Sequence, residues 1–191
     1  LCVLCRFITR DIVEEVCAFV MQSFGEQLYG QIRYFLEVFT IQATRKFPDV
    51  FGRALLYELR RPDLSVQHVA SLCIVVGSLT CGRYQISFFS DKENVQLALM
   101  GVLPWLGSTQ GFVRAIAQLL AHSLIPFVID VRSTSSEAVQ DSGVYLRSIY
   151  DFLEKNVEMK RLRNKQFKFF ESYDADTACS LEGILQVEVD E

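Results

Sequence analysis

Four groups of residues have the types and spacing to do chemistry. The first is Cys2-Val3-Leu4-Cys5, the chain's one CxxC. Two thiolates so spaced could supply half of a tetrahedral zinc site, but the spacers are apolar and no second Cys/His pair completes it. The second is the pair His68 and His122, which fall on different predicted helices, share no acid–base partner and read as structural. The third is Arg114, Gln118 and His122, spaced four residues apart, a polar ridge on an otherwise apolar helix. It reads as the solvated side of that helix, with Arg114 able to pair with an acid on a neighbouring one, or as a face for a phosphate backbone. The fourth is a basic run: Lys155, Lys160, Arg161, Arg163, Lys165 and Lys168, with Glu158 as its lone acid. Such a run can bind a polyanion by releasing counterions, and Phe167, Phe169 and Phe170 could stack on bases or pack. The alternative is a solvated linker helix. The RNA-contact candidates are these six basic residues and Arg114. The sequence has no Gly-rich phosphate loop and no GxSxG, so it presents no catalytic constellation and no cofactor motif of its own.

The surrounding composition sharpens the contrast. The net charge of the 191 residues is −4, yet residues 171–191 hold seven acids and no base, and what precedes the basic run is near balance. A basic segment is therefore followed by an acidic tail. Half the residues are hydrophobic and 12% aromatic, which excludes disorder of the whole and supports a sizeable core. The chain starts at Leu1 without a signal-peptide layout and reads as cut from a longer protein. The longest uncharged run, Asn94 to Val113, is broken by Pro104 and Gly107, and no window reads as a transmembrane helix, so no membrane partner is expected. Six cysteines, mostly in apolar helical patterns, fit a reduced cytoplasmic or nuclear setting.

The elements that must position these groups are helices. Leu28, Ile32, Phe35, Leu36, Phe39, Ala43 and Phe47 share one helical face. Pro48 suits the first turn of the next helix, with Phe51, Leu55 and Leu59 on one stripe and an end at Arg60-Arg61-Pro62. Ser65 is placed to cap a helix burying Val66, Val69, Cys73 and Val76, with Gly82 at its end. Ser90 and Glu93 match a capping box for a helix through Val95, Leu99 and Val102 to Trp105. Ser108 or Thr109 begins another, carrying Phe112, Ile116, Leu119, Leu120 and Phe127. Residues 133–143 read as a polar loop. A last helix starts near Val144 and carries Tyr145, Ile149, Phe152 and Leu153, with Met159, Leu162 and Phe169 as the core-facing side of its basic extension.

Helix pairs recur at roughly 40 residues, the HEAT/armadillo period. The expected fold is all-α: a HEAT/armadillo-like α-solenoid of antiparallel helix pairs with a basic C-terminal connector helix. Residues 1–132 form the HEAT-like repeats, 133–143 the loop, 144–170 the terminal helix with its basic segment, and 171–191 an acidic tail or linker. An irregular helical bundle is the other arrangement this pattern admits.

Three stretches carry a resemblance: QIRYFLEVF (31–39), PWLGSTQGFVRAIAQLLAH (104–122), and YLRSIYDFLEKN with MKRLRNKQFKFF (145–156 and 159–170). Together they resemble the large eukaryotic SpoU-type tRNA (guanosine-2′-O-)-methyltransferases, the TAR RNA-binding methyltransferase family. The resemblance covers about residues 28–170. It implies the end of a HEAT-like solenoid preceding a knotted SPOUT domain that binds S-adenosylmethionine and methylates a guanosine ribose in tRNA. The SPOUT cofactor loops and catalytic arginine have no counterpart here, so no active-site residue carries over. The implied role is holding and orienting tRNA, or positioning the methyltransferase domain of the same chain. A protein-binding HEAT scaffold without nucleic-acid contact is the competing expectation.

Overall fold

The computed structural model describes residues 5–28, 30–81, 86–129, 141–157 and 159–160. Among these, seven α-helices and no strand are present. They are α1 (Val13–Phe24), α2 (Gly30–Lys46), α3 (Arg53–Leu59), α4 (Val66–Cys81), α5 (Lys92–Val102), α6 (Gly111–Val128) and α7 (Asp141–Lys155). Arg161, Arg163, Lys165 and Lys168, the acidic tail, Gly82 and most of the expected polar loop lie outside the described residues. The part of that loop expectation that can be compared is corrected: Asp141 to Gly143 belong to α7.

Packing follows a regular alternation. α1 packs on α2, α3 on α4, and α5 on α6. Across these pairs α1 meets α3 and α3 meets α5, while α2 meets α4 and α4 meets α6. α7 packs on α6. Val13, Arg53 and Lys92 open the first helices of the three pairs, at steps of about 40 residues.

Local chemistry explains the boundaries. Pro48 cannot continue α2, and the chain makes one wide π turn, Pro48–Gly52, before α3. Ser65 caps α4 as expected: the His68 backbone N–H donates to its Oγ at 3.2 Å. The capping box at Ser90 is corrected. Ser90 ends a short 3-10 turn, and Asp91, in extended conformation, is the cap whose carboxylate accepts from the Glu93 N–H at 3.0 Å. Neither Ser108 nor Thr109 caps α6. Gln110 holds that position without a side-chain cap bond, and Ser108 Oγ accepts from the Gln110 N–H.

The core runs through every pair, with Phe24, Phe51, Leu55, Leu72, Leu79, Leu120 and Ile125 fully buried. Phe51, Leu55 and Leu59 are buried as their spacing requires. The α2 stripe is corrected at its first half: Ile32 and Phe35 are exposed, whereas Leu36 to Ile41 are buried around the whole helix. α1, the π turn and α4 all pack on α2, so it is covered from more than one side. Val66, Phe112, Phe127, Tyr145 and Phe152, also placed on predicted apolar stripes, are exposed. Gly101 allows α5 its close crossing over α3, because a Cβ there would sit 2.8 Å from both Leu59 Cγ and the Leu59 carbonyl oxygen.

One expectation about membranes is corrected. α6 is long and apolar enough by length and composition to cross a membrane. Arg114 lies in its first turn and interrupts the pattern too near the end to matter. The apolarity of α6 is used against α4, α5 and α7: Ile116, Ala117, Leu120, Ala121, Leu124 and Ile125 are all buried.

Candidate functional site

The polar ridge on α6 is built into the fold. Arg114 is exposed, and its Nη1 donates to the Ser108 carbonyl at 2.6 Å. Gln118 Nε2 donates to the Leu106 carbonyl at 3.0 Å. His122 Nε2 meets Glu154 Oε2 at 2.8 Å, and its ring stacks on Tyr150 at 4.8 Å between centroids. Two ridge residues thus hold the turn before α6, and the third holds α7. Of the basic-run candidates, Lys155 and Lys160 are described, and both are exposed. Leu153 and Met159 are buried, as the sequence expects of Met159, and Leu162 and Phe169 lie outside the described residues.

The three described thiols, Cys5, Cys17 and Cys73, are all buried. Cys2 lies outside the described residues. Cys5 is buried, with its Sγ 4.0 Å from the Phe39 carbonyl oxygen. Burial pushes the Cys17 thiol up to about 11 and the Cys73 thiol up to about 12. Among the described residues no three His, Cys, Asp or Glu side chains lie together as a metal site.

Lys46 closes the other end of the array: its Nζ donates to the carbonyls of Cys5 and Ile8 at 2.8 and 3.0 Å, a cation beside the end of a helical turn. A charged tie, buried at its Glu37 end, joins α2 and α4. Glu37 Oε1 accepts from Ser71 Oγ at 2.6 Å, and Arg33 donates to Ser71 Oγ and to the Gln67 carbonyl at 3.0 and 3.1 Å.

The feature that stands apart is a groove of about 690 Å³ between α1, α3 and the 60–65 turn, closed at its inner end by His68 on α4. Every third or fourth residue of α1 from Glu14 to Gly25 faces it, and Val50, Ala54, Tyr57, Glu58 and Arg61 face it from the other side. Its floor is apolar and its rim charged. Arg61 donates to Glu58 Oε2 at 3.1 Å and makes a forked pair with Asp63 at 3.1 and 2.8 Å. The Arg61 hydrogen bond holds the Asp63 carboxyl below its usual range.

His68 is only 4% exposed, lies 6.0 Å from the Phe24 ring in a stacked arrangement, and has no hydrogen-bond partner on Nε2 among the described residues. Glu58 Oε2 is 3.9 Å from that nitrogen. Burial, helped by the charges of Arg61 and Arg33, pushes the imidazole down to about 4. The sequence reading found no acid partner for either histidine, and the fold brings a glutamate to each. Glu154 is 32 residues from His122, beyond any local signal. For His68 the usable signal was Glu58 and Arg61, i and i+3 at the end of α3, facing the start of the next helix.

No protein family, curated protein or solved structure matches this chain.

Proposed function

We propose that this chain is a non-catalytic α-solenoid region of a tRNA guanosine ribose 2′-O-methyltransferase. In this reading its HEAT/armadillo-like helix pairs hold and orient tRNA, or position a catalytic domain that binds S-adenosylmethionine. The observation that carries the reading is the alternating packing of helices in pairs, each pair about 40 residues long and packed on the next. The resemblance of residues 31–39, 104–122 and 145–170 supplies the family. Lys155 and Lys160, exposed where the array ends, are the first cations of the RNA-contacting surface, and Arg114 is a further candidate.

Phosphate contact of this kind is steeply salt-dependent. With about four phosphates neutralised, affinity for tRNA falls roughly a hundredfold between about 50 and 200 mM salt. Filter binding of the chain with tRNA across that range tests this. Substituting Glu for Lys160, Arg161, Arg163 and Lys165 abolishes binding at the higher salt. Binding that ignores salt, or survives those four substitutions, rules the assigned surface out.

A second reading, a protein-binding scaffold without nucleic-acid contact, is favoured by the acidic rim of the α1–α3 groove, which repels a phosphate backbone. Partner retention at high salt, with no measurable tRNA affinity, distinguishes it.

A further inference from the structure

We infer that the groove between α1 and α3 receives an arginine or lysine side chain carried on a peptide segment of a partner protein. The inference holds with or without the tRNA reading. Three observations lead to it. The first is charge: Glu14, Glu58 and Asp63 line the groove against the single cation Arg61, and Arg61 is already engaged by Glu58 and Asp63. Negative charge is left over at the rim, and an anionic or phosphate-bearing ligand is disfavoured there.

The second is the buried acceptor pair at the inner end. Glu58 Oε2 and His68 Nε2 stand 3.9 Å apart, and the His68 nitrogen is unsatisfied. One nitrogen bearing two N–H bonds can lie about 2.9 Å from both acceptors at once when the inner end opens to admit it, since the His68 nitrogen has almost no accessible surface. A guanidinium or an ammonium offers that geometry, and the neutral imidazole offers the lone pair with its proton on Nδ1. A carboxylate or a second imidazolium does not fit.

The third is extent. The face of α1 from Glu14 to Gly25 is roughly 16 Å long at the helical rise, enough for four or five extended residues and more than a free amino acid covers. Its floor is small and apolar at Cys17, Met21 and Ala54, and Tyr57, 70% exposed, stands at its edge. Apolar residues flanking the cation would cover this floor, and the cationic stem could lie against the Tyr57 ring.

The test uses the whole chain with acetyl-Leu-Arg-Leu-amide and the same peptide with citrulline in place of arginine. Spermidine and tRNA are separate arms, and imidazole ¹⁵N shifts of His68 and amide shifts of Tyr57 are the readout. The arginine peptide shifts both residues saturably. The citrulline peptide binds about tenfold more weakly, the size of one charge-assisted hydrogen bond. Glu58→Gln weakens the arginine peptide by a similar factor, and Glu14→Gln, on the exposed first turn of α1, weakens it less without disturbing the fold. Equal binding by citrulline, or arginine binding untouched by both substitutions, overturns the inference. Shifts produced by spermidine alone overturn the peptide source in favour of a free amine, and shifts produced by tRNA overturn it in favour of nucleic acid.

Discussion

His68 is a neutral imidazole in a charged corner, and its cost is set by what pH does to it. Glu58, Asp63, Arg61 and Arg33 surround it, yet burial dominates and lowers its pKa from 6.5 to about 4. The unfolded chain therefore takes up this proton first as pH falls. Stability associated with His68 is fully present above about pH 6.5 and is lost as pH drops towards 4, amounting to about 3 kcal/mol in all. Asp63, whose folded-state pKa is lowered, adds its own loss only at still lower pH. Urea titrations of the chain and of His68→Gln at pH 7, 5.5 and 4.5 separate the two. The native chain loses stability across that window more steeply than the variant. Parallel pH profiles would show that burial does not hold the imidazole neutral. Residue-scale chemistry of this kind is only half visible in the sequence. His68 could be placed on a helix, but its 4% exposure depends on Phe24, forty-four positions earlier.

The start of α5 shows how close local patterns come to the folded element. Ser90 with Glu93 has the spacing of a capping box, but the backbone makes Asp91 the cap, one residue later. Asp91→Ala should cost about 1 kcal/mol in a denaturant titration, and Ser90→Ala close to nothing. The reverse order would restore the box. The helices from α2 onward were legible because the 3.6-residue period survives whatever they pack against, and Ser65 and the Phe51-Leu55-Leu59 stripe were read to the residue, whereas α1 was not read. Which side of a helix is covered was less legible. Ile32 and Phe35 share a face with Leu36 and Phe39, yet the first two are exposed and the last two are buried. Periodicity reports that a face is apolar, not where along it a neighbour arrives. The groove was hidden for a related reason. One wall is α1, in the first 27 residues where the sequence resembles nothing that places it, and the other begins at Val50. The site exists only because α1 and α3 are neighbours two helices apart.

At the scale of the whole molecule, the same alternation fixes how stability is distributed. Each helix contributes only part of the core, and burial accumulates where a helix packs against several others. α3, α4 and α6 each meet three other helices, and in α4 every residue from His68 to Thr80 is buried. Among the described residues α7 packs on α6, and it exposes Val144, Tyr145 and Phe152. Its attachment includes Leu153, the partly buried Leu146 and Ile149, the Tyr150 stack and the His122–Glu154 contact, whose glutamate is 48% exposed and thus weakly coupled. Opening of α7 therefore exposes far less apolar surface than opening of α4, and the two should differ in free energy by several kcal/mol. Native-state hydrogen exchange reads this directly. Amides in the middle of α4 and α6 exchange only through global unfolding, and those of α7 exchange earlier, through a local opening with a small denaturant dependence. His122→Ala should speed α7 exchange further while leaving α4 unchanged. Equal protection in α4 and α7 would mean that the last helix shares one cooperative unit with the rest, and the stack would then have no weak end at which to begin unfolding.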